Sequence, residues 1–123
     1  MKIFISKFVL MTSLMLVIGF LANPTTTTTP AFSQEGSVFI APGAADPNND
    51  QSFDPPQINL PIESTVFWTN HDSTQHTVTS DDGSFDSGPL SPGDTFDNTF
   101  DESGEFGYHC AIHPFMTGVV VVN

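Results

Sequence analysis

Between Ser37 and Val122 the chain runs in short stretches of Val, Ile, Phe and Thr, each cut off by Pro, Gly, Asp or Asn, and no useful length repeats at the helical period. The pattern predicts strands at Ser37–Ala41, Gln57–Leu60, Thr65–Asn70, His76–Ser80, Asp94–Phe100, Gly104–Cys110 and Gly118–Val122. Ala41–Pro56, rich in Pro, Asn and Asp, reads as a long loop with room for a short helical turn. Several short strands divided by turn signals imply an all-β domain, a β-sandwich or a small barrel. Strand side chains alternate between faces, so Phe106, Tyr108 and Cys110 share one face and Glu105, Gly107 and His109 the other. Cys110 then points inward at the end of a strand, behind two aromatic rings, and His109 points out.

The first 33 residues break this pattern. Lys2 and Lys7 form a short positive start, and Phe8–Ala22 is a nearly unbroken apolar stretch, the layout of an export signal. A helix of that length rises only ~22 Å, short of the ~30 Å hydrocarbon core, which favours a removed signal over a permanent span. A tilted, uncleaved anchor over residues 1–22 is the other reading. Ala31-Phe32-Ser33 places small residues where a signal peptidase reads them, giving cleavage before Gln34. The run Pro24-Thr25-Thr26-Thr27-Thr28-Thr29-Pro30 has too few apolar groups to offset the entropy of ordering it and reads as a linker. The expected organisation is a leader and Thr-rich segment over 1–33 and one domain over 34–123, exported to a periplasmic or extracellular location. That length supports a single modest core and excludes a multi-domain enzyme.

Charge and cysteine usage narrow the function. The two Lys of the leader are the only basic residues, and all 14 acidic residues lie at Glu35 or later, so the domain carries a formal charge of −14. Such a domain binds neither nucleic acid nor an anionic membrane surface. Its acidity serves solubility or a saline habitat, or draws it to a basic partner. Cys110 is the sole cysteine and has no internal disulfide partner, so in an oxidising compartment it is either inert and buried or engaged in chemistry.

The segment Tyr108-His109-Cys110-Ala111-Ile112-His113-Pro114-Phe115-Met116-Thr117-Gly118 favours chemistry. It sets a thiolate, an imidazole and a thioether at steps of three residues between the last two strands, and His76 stands ready as a further nitrogen donor after a polar loop. Soft thiolate, nitrogen donors and a weak thioether suit copper cycling between its two oxidation states. Together with Val66-Phe67-Trp68-Thr69-Asn70, His76-Thr77-Val78, Phe85-Asp86-Ser87-Gly88 and Ser91-Pro92-Gly93-Asp94-Thr95-Phe96, this segment makes nearly all of the domain resemble the cupredoxin family, especially its plastocyanin, pseudoazurin and amicyanin group. The resemblance implies a Greek-key β-sandwich of seven to eight strands. It also implies one type 1 blue copper near one end, with His76, Cys110 and His113 as equatorial ligands and Met116 as the axial one.

Two positions depart from the group. Thr77 takes the place of an Asn that often braces the ligand loops, which would weaken that brace, and Ile112 replaces a Pro and so retains an N–H able to reach the thiolate. His71 reads as a solvated turn residue. His109 reads as a surface residue bonded directly to Cys110, hence a candidate electron exit, and Pro114 and Phe115 read as an apolar collar around His113. The adjacent carboxylates Asp81-Asp82 and Asp101-Glu102 read as solvated turn residues rather than an acid/base pair.

The resemblance implies an electron carrier rather than an enzyme, a monomer that meets redox proteins, and the acidity of the domain adds the expectation that these present a basic docking surface. The alternative is a copper storage or delivery protein, which one Met in the domain does not favour. A Cys–His hydrolase is the third reading, opposed by Met116 and the all-β frame.

Overall fold

The structure, a computed structural model, describes residues 34–123. The expected leader and threonine run, residues 1–33, lie outside the described residues. Eight strands form: β1 Glu35–Ile40, β2 Phe53–Asp54, β3 Gln57–Leu60, β4 Ser64–Asn70, β5 Thr79–Ser80, β6 Thr95–Phe100, β7 Gly104–His109 and β8 Thr117–Val122. They make two four-stranded sheets, ordered β2-β1-β4-β6 and β3-β8-β7-β5. The pairs β1–β4 and β3–β8 are parallel and the others antiparallel, giving the expected Greek-key β-sandwich.

The alternation read from the sequence is what closes the two sheets on each other. In β4, Ser64, Val66, Trp68 and Asn70 face inward, and β1 contributes Val38 and Ile40. Trp68 sits at the centre with ring centroids 5.9 Å from Phe85, 5.7 Å from Phe96 and 5.4 Å from Tyr108. Each such aliphatic or aromatic side chain contributes about 1.5–3 kcal/mol on burial.

Two stretches differ from the expected elements. Ala41–Pro56 is not loop throughout: β2 pairs with the end of β1, and Phe53 is buried edge-on against Tyr108 at 4.8 Å. Two residues are too few to show a period. Conversely, only Thr79–Ser80 of the expected His76–Ser80 strand pairs with β7. The Thr77 amide instead donates to Cys110 Sγ and the Val78 amide to Ser87 Oγ, so these donors are withdrawn from the ladder.

The β4–β5 connection crosses from one sheet to the other and carries His76, while the β7–β8 connection turns back within one sheet and carries Cys110, His113 and Met116. Both connections meet at the same end of the sandwich.

Candidate metal centre

The β7–β8 connection is a tight loop closed by two backbone bonds. Cys110 N–H donates to the Met116 carbonyl at 3.1 Å, and Met116 N–H donates to the His113 carbonyl at 2.9 Å. These bonds turn the three-residue spacing into convergence: Cys110 Sγ and His113 Nδ1 lie 3.7 Å apart. Tyr108, two residues before Cys110, supports the loop from beneath. Its ring lies over Gly118 directly across the ladder, where an added Cβ would collide with the Tyr108 hydroxyl and ring carbons, so only glycine fits.

His76 reaches the same point from the crossover. Its backbone is fixed on both sides by Leu90, whose carbonyl accepts from His76 N–H at 3.1 Å and whose N–H donates to the His76 carbonyl at 2.7 Å. His76 Nδ1 then lies 3.7 Å from Cys110 Sγ and 3.2 Å from His113 Nδ1. His76, Cys110 and Met116 are fully buried and His113 is half-buried. Among the described residues this is the one place where three His, Cys, Asp or Glu side chains converge to hold a metal.

The donor set fits a metal ion on the structure's own geometry. Two imidazole nitrogens and a sulfur form a triangle, and a single ion at ordinary bond lengths, about 2.0–2.1 Å to nitrogen and about 2.3 Å to sulfur, spans it. Without a cation or a proton between them, two nitrogen lone pairs would face each other across 3.2 Å. Thiolate and imidazole with the buried thioether of Met116 in the same loop is a copper set, and among the described residues no carboxylate joins the cluster.

The surroundings orient these donors. His76 Nε2 lies 2.7 Å from Asp72 Oδ2, and Asp72 is only 6% exposed. Burial is the largest influence on the Asp72 carboxyl and opposes its ionisation. The hydrogen bonds from His76 and from the Gly43 and Ser73 amides together outweigh burial and hold its pKa below the usual carboxylate value. An ionised carboxylate only accepts, so Nε2 is the donor in this bond, and the ring turns Nδ1 toward the centre. Asn70 shapes the turn, its Oδ1 accepting from the Asp72 amide and its Nδ2 donating to the Thr74 and Leu90 carbonyls, each at 2.9 Å.

Thr77 does brace the loops, contrary to the weakening expected from the missing Asn. Its Oγ1 accepts from the Ala111 amide at 2.7 Å, and its own amide donates to Cys110 Sγ at 3.3 Å. A hydroxyl on a shorter side chain suffices because the two connections run this close together. The Ile112 side chain is 46% exposed at the loop's tip, and the amide that reaches the sulfur is that of Thr77.

The remaining histidines lie apart from the triangle. His71 is exposed and packs its ring against Phe39 at 4.6 Å. His109 points outward as the alternation requires, its Nδ1 2.6 Å from Asp81 Oδ1. That carboxylate lies over Gly107, where a side chain would displace it. Asp72 and Asn70 were not singled out by sequence. The signal available, a carboxylate four residues before a candidate ligand, is also what any polar turn offers.

Comparison with known proteins agrees with this geometry. The model of the cupredoxin-like domain family matches residues 18–122. Amicyanin of Paracoccus denitrificans is 33% identical over 76 residues, 58% of this chain and 58% of that protein. Amicyanin-alpha of Methylorubrum extorquens is 34% identical over 81 residues, 58% of this chain and 64% of that protein. The chain thus spans about three fifths of the length of these curated relatives. Among solved structures, a purple cupredoxin from Nitrosopumilus maritimus matches with a TM-score of 0.68 and 34% identity over 72% of this chain and 99% of that one. An oxidised amicyanin with a Met-to-Leu substitution matches at 0.60 and 27%, over 71% and 80% of the two chains. With its eight-stranded sandwich and a His-Cys-His-Met end that fits a single type 1 copper ion, the chain belongs to the cupredoxin-like domain family.

Proposed function

We propose that this protein is an exported blue-copper electron carrier, with His76 Nδ1, Cys110 Sγ and His113 Nδ1 as the strong ligands and Met116 as the weak axial one. Copper bound there supplies a one-electron couple between Cu(I) and Cu(II). The observation that carries the reading is the triangle of 3.2, 3.7 and 3.7 Å formed by donors from two separately anchored connections. Donors held by the backbone bonds of Leu90, Met116 and Thr77 rearrange little between oxidation states, which is what outer-sphere transfer needs. Burial of His76, Cys110 and Met116 keeps these side chains out of water, as an outer-sphere carrier needs.

The half-buried His113, with its ring 5.9 Å from the exposed Phe115, is the place where a partner approaches. Residues 34–123 carry 14 carboxylates and no Lys or Arg, so the redox partner presents a basic surface. Residues 1–33 act as the export leader and linker. A storage or delivery protein exchanges its metal through accessible donors, and the enclosed triangle favours the carrier over that alternative.

Titration of the purified protein with copper(II) tests the assignment. One equivalent should bind with an intense thiolate charge-transfer colour, blue to purple, and Cys110→Ser should lose it. A pale wild-type complex, or a variant that keeps its colour, would overturn the reading.

A further inference from the structure

Asp72 stands out because it is a buried carboxylate in a domain without a single Lys or Arg. A buried carboxylate is ordinarily balanced by a cationic side chain, since removing an anion from water costs several kcal/mol on the order of magnitude. Here its partners are two backbone amides and an imidazole. Oδ1 accepts from the Gly43 amide at 3.0 Å and the Ser73 amide at 2.9 Å, and Oδ2 accepts from His76 Nε2 at 2.7 Å. The other nitrogen of that imidazole forms a corner of the donor triangle. A positive charge held at that triangle, on the far side of the His76 ring, would compensate the carboxylate.

We propose that Asp72 is a positioning residue of the metal centre: it fixes His76 with the proton on Nε2, and it sets a permanent negative charge one imidazole ring from the ligands, favouring Cu(II) over Cu(I). This rests on the copper reading above. The arrangement couples a third part of the chain to the site. Gly43 lies between β1 and β2, at φ +84°, with its carbonyl held by Asn49 Nδ2 at 3.1 Å. The loop that follows β1 is thus tied through one carboxylate to His76, and ligand orientation depends on residues distant in sequence from every ligand. Carboxylate–histidine–metal chains orient the ring and raise its basicity. A charge behind the ring acts on the oxidised ion more strongly than on the reduced one.

Three measurements separate the roles. In the metal-free wild-type protein, nitrogen NMR of the histidine rings should find His76 protonated at Nε2 with slow exchange of that proton. A proton on Nδ1 instead would overturn the proposal whether or not any variant folds. Asp72→Asn keeps the shape and an acceptor oxygen while removing the charge. It should still bind one copper with the charge-transfer colour, and the ratio of Cu(I) to Cu(II) affinity should rise on the order of tenfold, about 59 mV upward in potential for one electron. Asp72→Glu, which restores the charge, should move the potential back toward wild type. A merely structural Asp72 would lower stability in Asp72→Asn and leave the potential unchanged, and that outcome would refute the charge role. Absence of colour in the wild-type protein itself would instead refute the copper reading.

Discussion

The two connections that build the metal centre are held in opposite ways. The β7–β8 loop is local: Cys110, His113 and Met116 lie within seven residues, and two backbone bonds inside the loop bring them together. Its outer side is open, with Ile112 and Phe115 exposed. The β4–β5 crossover contributes only His76, yet that residue is enclosed, fixed by Leu90 at the backbone and by Asp72 at the ring. A donor supplied within a hairpin needs little beyond the turn. One supplied by a segment that changes sheets has to be held by tertiary bonds, and these form buried polar clusters whose members are costly to remove.

If that contrast holds, the largest loss should come from the crossover. Asn70→Ala removes three hydrogen bonds at a residue only 1% exposed and leaves the Thr74 and Leu90 carbonyls without that donor. Stability should fall by about 3 kcal/mol, since the buried Asp72 amide is left without an acceptor, which costs roughly 1–3 kcal/mol, and the two bonds to the carbonyls are lost with it. Denaturant unfolding of the metal-free protein measures this, and a loss under about 1 kcal/mol would remove the distinction between the two connections.

Next comes the floor beneath the hairpin. Gly118→Ala forces a methyl into the Tyr108 ring and should cost about 2 kcal/mol, within the usual range for overpacking. It should also broaden the charge-transfer band, because Tyr108 is two residues from Cys110. A neutral result would mean the hairpin holds its donors without that support.

A pH series probes the same floor. Tyr108 has its pKa raised by burial to about 12, and among the described residues neither Trp68 Nε1 nor Tyr108 Oη reaches a hydrogen-bond partner. Between the usual value of about 10 and that figure, the unfolded chain has released a proton that the folded one retains. Stability is therefore unaffected by this group below pH of about 10, and above it falls by up to about 1.4 kcal/mol per pH unit. Tyr108 is the only tyrosine, so tyrosinate absorbance reports it alone. Ionisation of the folded protein with a midpoint near 10 would show the hairpin floor to be wet.

The smallest structural effect is expected at the hairpin's tip. Phe115→Ala should change stability by less than about 0.5 kcal/mol, as for other exposed positions. Transfer to a cationic redox protein should nevertheless slow, with its dependence on salt unaltered, because the carboxylates set that dependence and Phe115 bears no charge. A stopped-flow salt series decides it, and a flattened slope in the variant would tie Phe115 to the long-range attraction.

Legibility in the sequence follows the same contrast. Period-two alternation needs only a strand and one buried face, so six of the expected strands appear within a residue or two of their predicted limits. The two-residue β2 has no period to show, and the His76 end of its strand gives up ladder pairing because Thr77 and Val78 donate elsewhere. Cys110, His113 and Met116 announce themselves because their spacing is the geometry of one tight turn.

By itself the sequence determined the all-β character, the acidic and lysine-free domain, the inward thiol and the soft donor loop, all properties carried by neighbours along the chain. Tertiary structure alone decided which carboxylate of 14 stands behind His76, that Thr77 spans the two connections, and that Gly43 reaches the site. Those contacts join residues up to 34 positions apart. Their partners are chosen by how two sheets pack, and a polar residue in a turn carries no mark of which distant donor it will meet.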